Sequence, residues 1–75
     1  MPEMKRFGEK LRTLRKRRGL TTRELGPLLD VYFTYISQLE NGDRKPNVEM
    51  VLKVADLFGV STDQLMRDEL ELDEA

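Results

Sequence analysis

The sequence predicts an all-α fold, a compact domain of five short helices. Two observations predict it. Apolar residues recur at spacings of three and four, and no stretch alternates with period two for long. Glycine or a short polar segment follows each apolar stripe, so connections of a few residues join the helices. Seventy-five residues allow one domain with a modest core.

The first helix is expected over about Glu3–Arg18. Phe7, Leu11 and Leu14 form its inward stripe. Gly19, after a run of Arg and Lys, suits a helix C-terminus. Thr21 or Thr22 can cap a short second helix, and Thr21 with Glu24 has the capping-box spacing. That helix carries Leu25, Leu28 and Leu29 and is expected to end near Asp30. A third helix spans about Phe33–Asn41 with Ile36 and Leu39 inward, and Asn41-Gly42 stops it. Asn47 can cap a fourth, Val48–Phe58, whose core stripe is expected to be Val48, Val51, Leu52, Ala55 and Phe58. Gly59 ends it. Ser61 or Thr62 caps a last short helix through Leu65 and Met66. We divide the chain into a domain, residues 1–67, and an acidic tail, residues 68–75, expected to be solvated and to be frayed or disordered at its end.

Composition excludes several chemistries. Cysteine and histidine are both absent, so a disulfide framework and a thiolate or imidazole zinc site are ruled out. No apolar run approaches the roughly 20 residues that span a bilayer. The start, Met1-Pro2-Glu3-Met4-Lys5-Arg6, lacks the apolar middle of a signal peptide. A cytoplasmic protein with no membrane partner is expected. Catalysis has little support, because no nucleophile elbow and no glycine-rich phosphate loop occur. The acidic tail fits no calcium-loop spacing. No cofactor and no metal are expected.

The net charge of −1 hides an asymmetry: residues 1–46 carry +5 and residues 47–75 carry −6. A basic half is where a polyanion docks, although charge can also simply solvate a helical domain.

Thr22 to Asn41 form a short helix, a turn and a second short helix. Phe33, Thr34, Ser37 and Gln38 face outward on the second of these, without any charge among them. A face meant only for water usually carries Lys or Glu, whereas amides, hydroxyls and apolar groups suit base edges.

Leu14-Arg15, Gly19-Leu20-Thr21, Glu24-Leu25, Tyr35-Ile36-Ser37-Gln38-Leu39-Glu40-Asn41-Gly42, Arg44-Lys45-Pro46 and Leu57-Phe58-Gly59-Val60-Ser61 resemble the Cro and phage-repressor (XRE-like) helix-turn-helix family. The likeness runs from about Phe7 to Leu65, with Gln38-Leu39-Glu40-Asn41-Gly42 and Lys45-Pro46 its most specific part. It implies a five-helix, lambda-repressor-like domain whose third helix enters the DNA major groove. Base contacts map onto Phe33, Thr34, Ser37 and Gln38. Backbone contacts map onto Thr22, Tyr35, Asn41, Gly42, Arg44 and Lys45. The resemblance also implies a structural ion pair between Arg15 and Glu40.

This chain departs from the family pattern at four places. Gly26 stands where Ala is usual, Pro27 follows inside the second helix, Asp30 replaces the turn Gly, and Tyr32 replaces the opening Ser or Thr. Pro27 removes an N–H and can crowd the preceding turn. Phe33 can meet a thymine methyl group or fold back beside Leu29. Tyr35 can point to the DNA backbone or be partly buried. Arg12, Lys16, Arg17 and Arg18 are read mainly as a solvated face.

Two function classes follow. The first is a small dimeric transcriptional regulator, of repressor or controller type, that binds a pseudo-palindromic operator in double-stranded DNA as a homodimer. The second is a protein-interaction module, such as an antitoxin or anti-repressor, that uses Tyr32, Phe33 and Tyr35 as a partner surface. Surplus apolar residues predict the dimer interface at Met50, Val54, Leu57, Met66 and Leu70.

Overall fold

In the computed structural model of the chain, which describes residues 4–73, five α-helices and no strand occur among those residues. They are α1 (Phe7–Arg17), α2 (Thr22–Leu28), α3 (Phe33–Glu40), α4 (Val48–Phe58) and α5 (Thr62–Met66). Glu3, the expected first residue of α1, lies outside the described residues, and Lys5 and Arg6 form a turn before the helix.

Local chemistry accounts for most boundaries. Thr21, not Thr22, caps α2: its hydroxyl accepts from the Glu24 amide at 3.1 Å, and the Glu24 carboxylate accepts from the Thr21 amide at 2.9 Å. Ser61 and Gln64 repeat this box at α5. The Asn47 side chain accepts from the Met50 amide and caps α4. Gly59, at φ 66°, ends α4 in the left-handed region.

The second helix stops at Leu28, one residue beyond Pro27 and two short of the expected end at Asp30. Proline has no N–H to give to the ladder, and Asp30 turns the chain with φ 60°. Asp is among the few residues besides glycine that adopt this conformation readily.

Phe7, Leu11 and Leu14 of α1, Leu25 and Leu29, Ile36 and Leu39 of α3, five residues of α4 and Leu65 of α5 form one buried core. Fully burying such a side chain contributes about 1.5–3 kcal/mol. Helix α3 is clasped between α2 and α1, while α5 packs on α4 and α1.

Two expectations are corrected. The stripe of α4 that faces inward is Met50, Val51, Val54, Ala55 and Phe58, and Met50 and Val54 are 3% and 0% exposed. They therefore cannot form a dimer interface without unfolding the monomer. Val48 and Leu52, expected in the core, are 73% and 50% exposed. The reason is the helical period. At 100° per residue, positions 50, 54, 58, 51 and 55 make one continuous arc, and 48 and 52 lie on its flank.

The second correction concerns the acidic tail, expected to be solvated; its end, residues 74 and 75, lies outside the described residues. Among residues 68–73, Asp68, Leu70, Glu71, Leu72 and Asp73 lie against α1. The Asp68 carboxylate accepts from the amides of Lys5 and Arg6 at 3.1 and 3.0 Å, and so caps a helix start that has no side-chain cap of its own. Glu71 accepts from the Arg6 guanidinium at 2.6 and 3.0 Å. The Lys10 ammonium, buried beneath this segment, donates to the carbonyls of Gln64, Arg67 and Leu70. The tail is held because a buried cation needs these acceptors as much as they need a donor.

Candidate nucleic-acid interface

The site is built on α3, and three contacts set its position. First, Gly26 of α2 lies so close to the turn that a Cβ there would stand 2.7 Å from the Val31 carbonyl and 3.0 Å from the Phe33 amide. Second, a Cβ at Gly8 of α1 would run into the carbonyls of Leu39 and Glu40. Both ends of α3 thus rest on glycine backbones, where any larger residue would move it.

Third, the Glu40 side chain, 2% exposed, binds Arg15 through two hydrogen bonds of 2.7 and 2.9 Å. Arg15 also donates to the Leu20 carbonyl at 2.8 Å, which ties the α1–α2 loop into the pair. Hydrogen bonding to Glu40 raises the Arg15 pKa, against the opposing effect of burial. Arg12, expected on a solvated face, donates to Glu40 at 3.2 Å and to the Asn41 side chain at 3.1 Å. Gly8 and Arg12 escaped the reading of the sequence. Their signal was only a small residue and a cation on α1, which many helices carry.

Phe33, Thr34, Ser37 and Gln38 occupy one arc of α3, opposite the buried Ile36 and Leu39. Thr34 is exposed and the other three are half-buried. The side chains of Thr34, Ser37 and Gln38 make no hydrogen bond among the described residues. Their donors and acceptors are free to meet a ligand. Phe33 does not fold into the core beside Leu29. It stays half-buried at the start of α3 under the Arg23 guanidinium, 4.2 Å from the ring centroid. Tyr35 is partly buried against the core, with Arg44 over its ring at 6.0 Å.

After α3, the amides of Asp43 and Arg44 both turn back onto the Gln38 carbonyl. Gly42 adopts φ 80°, a conformation that costs a side-chain-bearing residue dearly. This turn leaves Asn41, Gly42, Arg44 and Lys45 exposed in one loop next to the arc. Thr22, at the first position of α2, is half-buried with its hydroxyl unbonded among the described residues. Arg44 and Lys45 form no ion pair among those residues. Unpaired cations bordering a charge-free polar arc suit a polyanion whose interior carries neutral hydrogen-bonding edges.

Of the residues expected at a dimer interface, Leu57 and Met66 are partly buried and Leu70 is exposed. Met66 instead lines an apolar groove with Met4, Pro46, Val48, Val51 and Leu52. No described helix is long and apolar enough to cross a membrane.

The family profile described as helix-turn-helix matches residues 11–65. The chain is 38% identical over 61 residues to the HTH-type transcriptional regulator PrpR of Mycobacterium tuberculosis, which covers 81% of this chain and 13% of that regulator. It is also 38% identical to the HTH-type transcriptional activator BcrR of Enterococcus faecalis, over 84% of this chain and 31% of BcrR. The chain thus spans less than a third of the length of these curated relatives. Among solved structures it is similar to the P22 c2 repressor in complex with synthetic operator 9T, with TM-score 0.77 and 30% identity over 84% of this chain and 96% of that one. The restriction-modification controller protein C.AhdI of Aeromonas hydrophila superposes with TM-score 0.73 and 28% identity, over 84% of this chain and 96% of its own.

Proposed function

The chain belongs to the helix-turn-helix family, and from that premise we propose that it binds double-stranded DNA sequence-specifically as a small dimeric transcriptional regulator of the cytoplasm. The observation that carries the proposal is the unbonded arc of Thr34, Ser37 and Gln38 on a helix braced at both ends. In this reading α3 enters the major groove. The Gln38 amide pairs with a base edge, Thr34 and Ser37 offer hydroxyls, and Phe33 meets an apolar group such as the thymine methyl. Thr22, Tyr35, Asn41, Gly42, Arg44 and Lys45 hold the phosphates on either side and set register without reading sequence. The chain acts by occupancy, as a repressor or a controller.

Two copies serve the function better than one. The chain's longest dimension is 29 Å, short of the roughly 34 Å between successive major grooves on one face of DNA. The exposed flank of α4, Val48 and Leu52 with Met66 beside them, supplies apolar surface for a second copy. The acidic second half, at −6, belongs on the side away from the phosphates.

Binding to duplexes selected from a random pool tests the reading. Gln38→Ala should cost about 1–3 kcal/mol on the selected site and relax preference at one base pair, with little change on random duplex. Arg44→Ala or Lys45→Ala should weaken binding to every sequence and lower the salt slope by about one unit each. A protein that shows no affinity for any duplex at low salt is instead the interaction module that Tyr32, 84% exposed, would suit.

A further inference from the structure

Most arginines of the first helix, and the Arg6 that precedes it, are engaged. Arg6 is held by Glu9 and Glu71, Arg12 and Arg15 by Glu40, and Arg17 by the Asp73 carbonyl. Arg23, the second residue of α2, is different. It has no carboxylate and no hydrogen-bond acceptor among the described residues, and its neighbour Glu24 is occupied by the Thr21 amide. Its one contact of note is the Phe33 ring, 4.2 Å from the guanidinium carbon. Phe33 opens α3 at the point where the Gly26 backbone presses on its own amide. Its backbone is therefore fixed while its ring lies outside the core.

A guanidinium over a ring gives up hydration on the side that meets the ring and keeps the N–H donors that point away from it free. The ring in turn loses freedom to swing, because one of its faces is covered. We propose that Arg23 is a positioning residue for base reading. It holds the Phe33 ring against the C5-methyl group of a thymine and donates its free N–H edge to a phosphate beside that base. The inference rests on the DNA-binding reading above and goes beyond it by assigning Arg23, a residue outside the expected contacts, both the positioning of Phe33 and a phosphate.

The test uses the full chain and the duplex that the wild type selects from a random pool, with each thymine replaced in turn by deoxyuridine. That replacement removes one methyl group and nothing else. Wild type should lose about fourfold in affinity at one thymine per half-site, the value of one buried methyl. Phe33→Ala should abolish that ratio. Arg23→Ala should bring the ratio close to one and lower the salt slope by about one unit. Arg23→Lys should keep the slope, because the charge remains, yet lose more than half of the ratio, because an ammonium does not stack as a plane.

An Arg23→Ala protein that keeps the wild-type thymine-to-deoxyuridine ratio overturns the inference while leaving DNA binding intact. So does a wild type that selects a sequence but ignores every thymine methyl. A wild type with no sequence preference defeats the reading beneath it.

Discussion

Glu40 shows how one side chain determines where the site stands. A carboxylate with 2% exposure tolerates burial only with charged partners, and here Arg15 supplies two hydrogen bonds and Arg12 a third. Arg15→Ala should therefore cost about 3 kcal/mol, since it removes two of the three hydrogen bonds of a buried charge and leaves it the half-exposed Arg12 alone. Arg17→Ala, which loses only an exposed bond to the Asp73 carbonyl, should stay within about 0.5 kcal/mol. Urea midpoints measure both, and equal midpoints would remove Glu40 from its bracing role. The pairing of Arg15 with Glu40 came from the family resemblance. The part of Arg12 did not, because a lysine- and arginine-rich helix carries no mark of which cation turns inward.

At the scale of helices, the decisive contact is α2 against α3. Where the family pattern has Ala, Gly26 brings the two backbones together. Alanine is the better helix former by about 1 kcal/mol, so Gly26→Ala would stabilise an isolated α2. In the domain its Cβ would meet Val31 and Phe33 backbone atoms at 2.7 and 3.0 Å. Backbone cannot step aside as a flexible side chain can, and such overpacking costs about 1–3 kcal/mol. We expect a net loss of stability in urea, together with weaker discrimination among DNA sequences as the start of α3 shifts. A more stable Gly26→Ala protein would show that the helices have room to spare. Element existence was legible in the apolar spacing and the caps. The end of α2 was not, because Pro27 and Asp30 act together and neither alone says which residue is last.

For the whole molecule, the C-terminal segment and the α4 flank matter most. Backbone hydrogen bonding at Arg6 holds the Asp68 carboxyl below its ordinary value, and the Arg6 guanidinium does the same for Glu71. A depressed folded-state carboxylate contributes stability that is present above the unfolded value, near pH 4. That stability is lost as pH falls through the folded value. The denaturation midpoint should drop below about pH 4, and less steeply in an Asp68→Asn, Glu71→Gln variant. Identical acid limbs would mean that the segment adds nothing to the fold.

The assembly prediction follows from the corrected face of α4. Sedimentation equilibrium at micromolar concentration should find a wild-type dimer and a folded, monomeric Val48→Glu, Leu52→Glu variant with weakened operator affinity. A variant that still dimerises would place the interface elsewhere.

The sequence by itself determined the helical class, the cap at Asn47, the narrowing of two other caps to Thr21 or Thr22 and to Ser61 or Thr62, and the charge-free arc from Phe33 to Gln38. These depend on spacing along one helix or on partners three residues away, which local order already contains. Tertiary structure alone decided which flank of α4 is buried, which arginines reach Glu40, how closely Gly8 and Gly26 let α3 approach, and that Asp68 and Glu71 return to α1. Each of these joins residues distant in the chain. The apolar arc on α4 is wide enough to be turned either way until α5 and the rest of the core close over it, and only that closure selects Met50 and Val54 for the core and leaves Val48 and Leu52 outside.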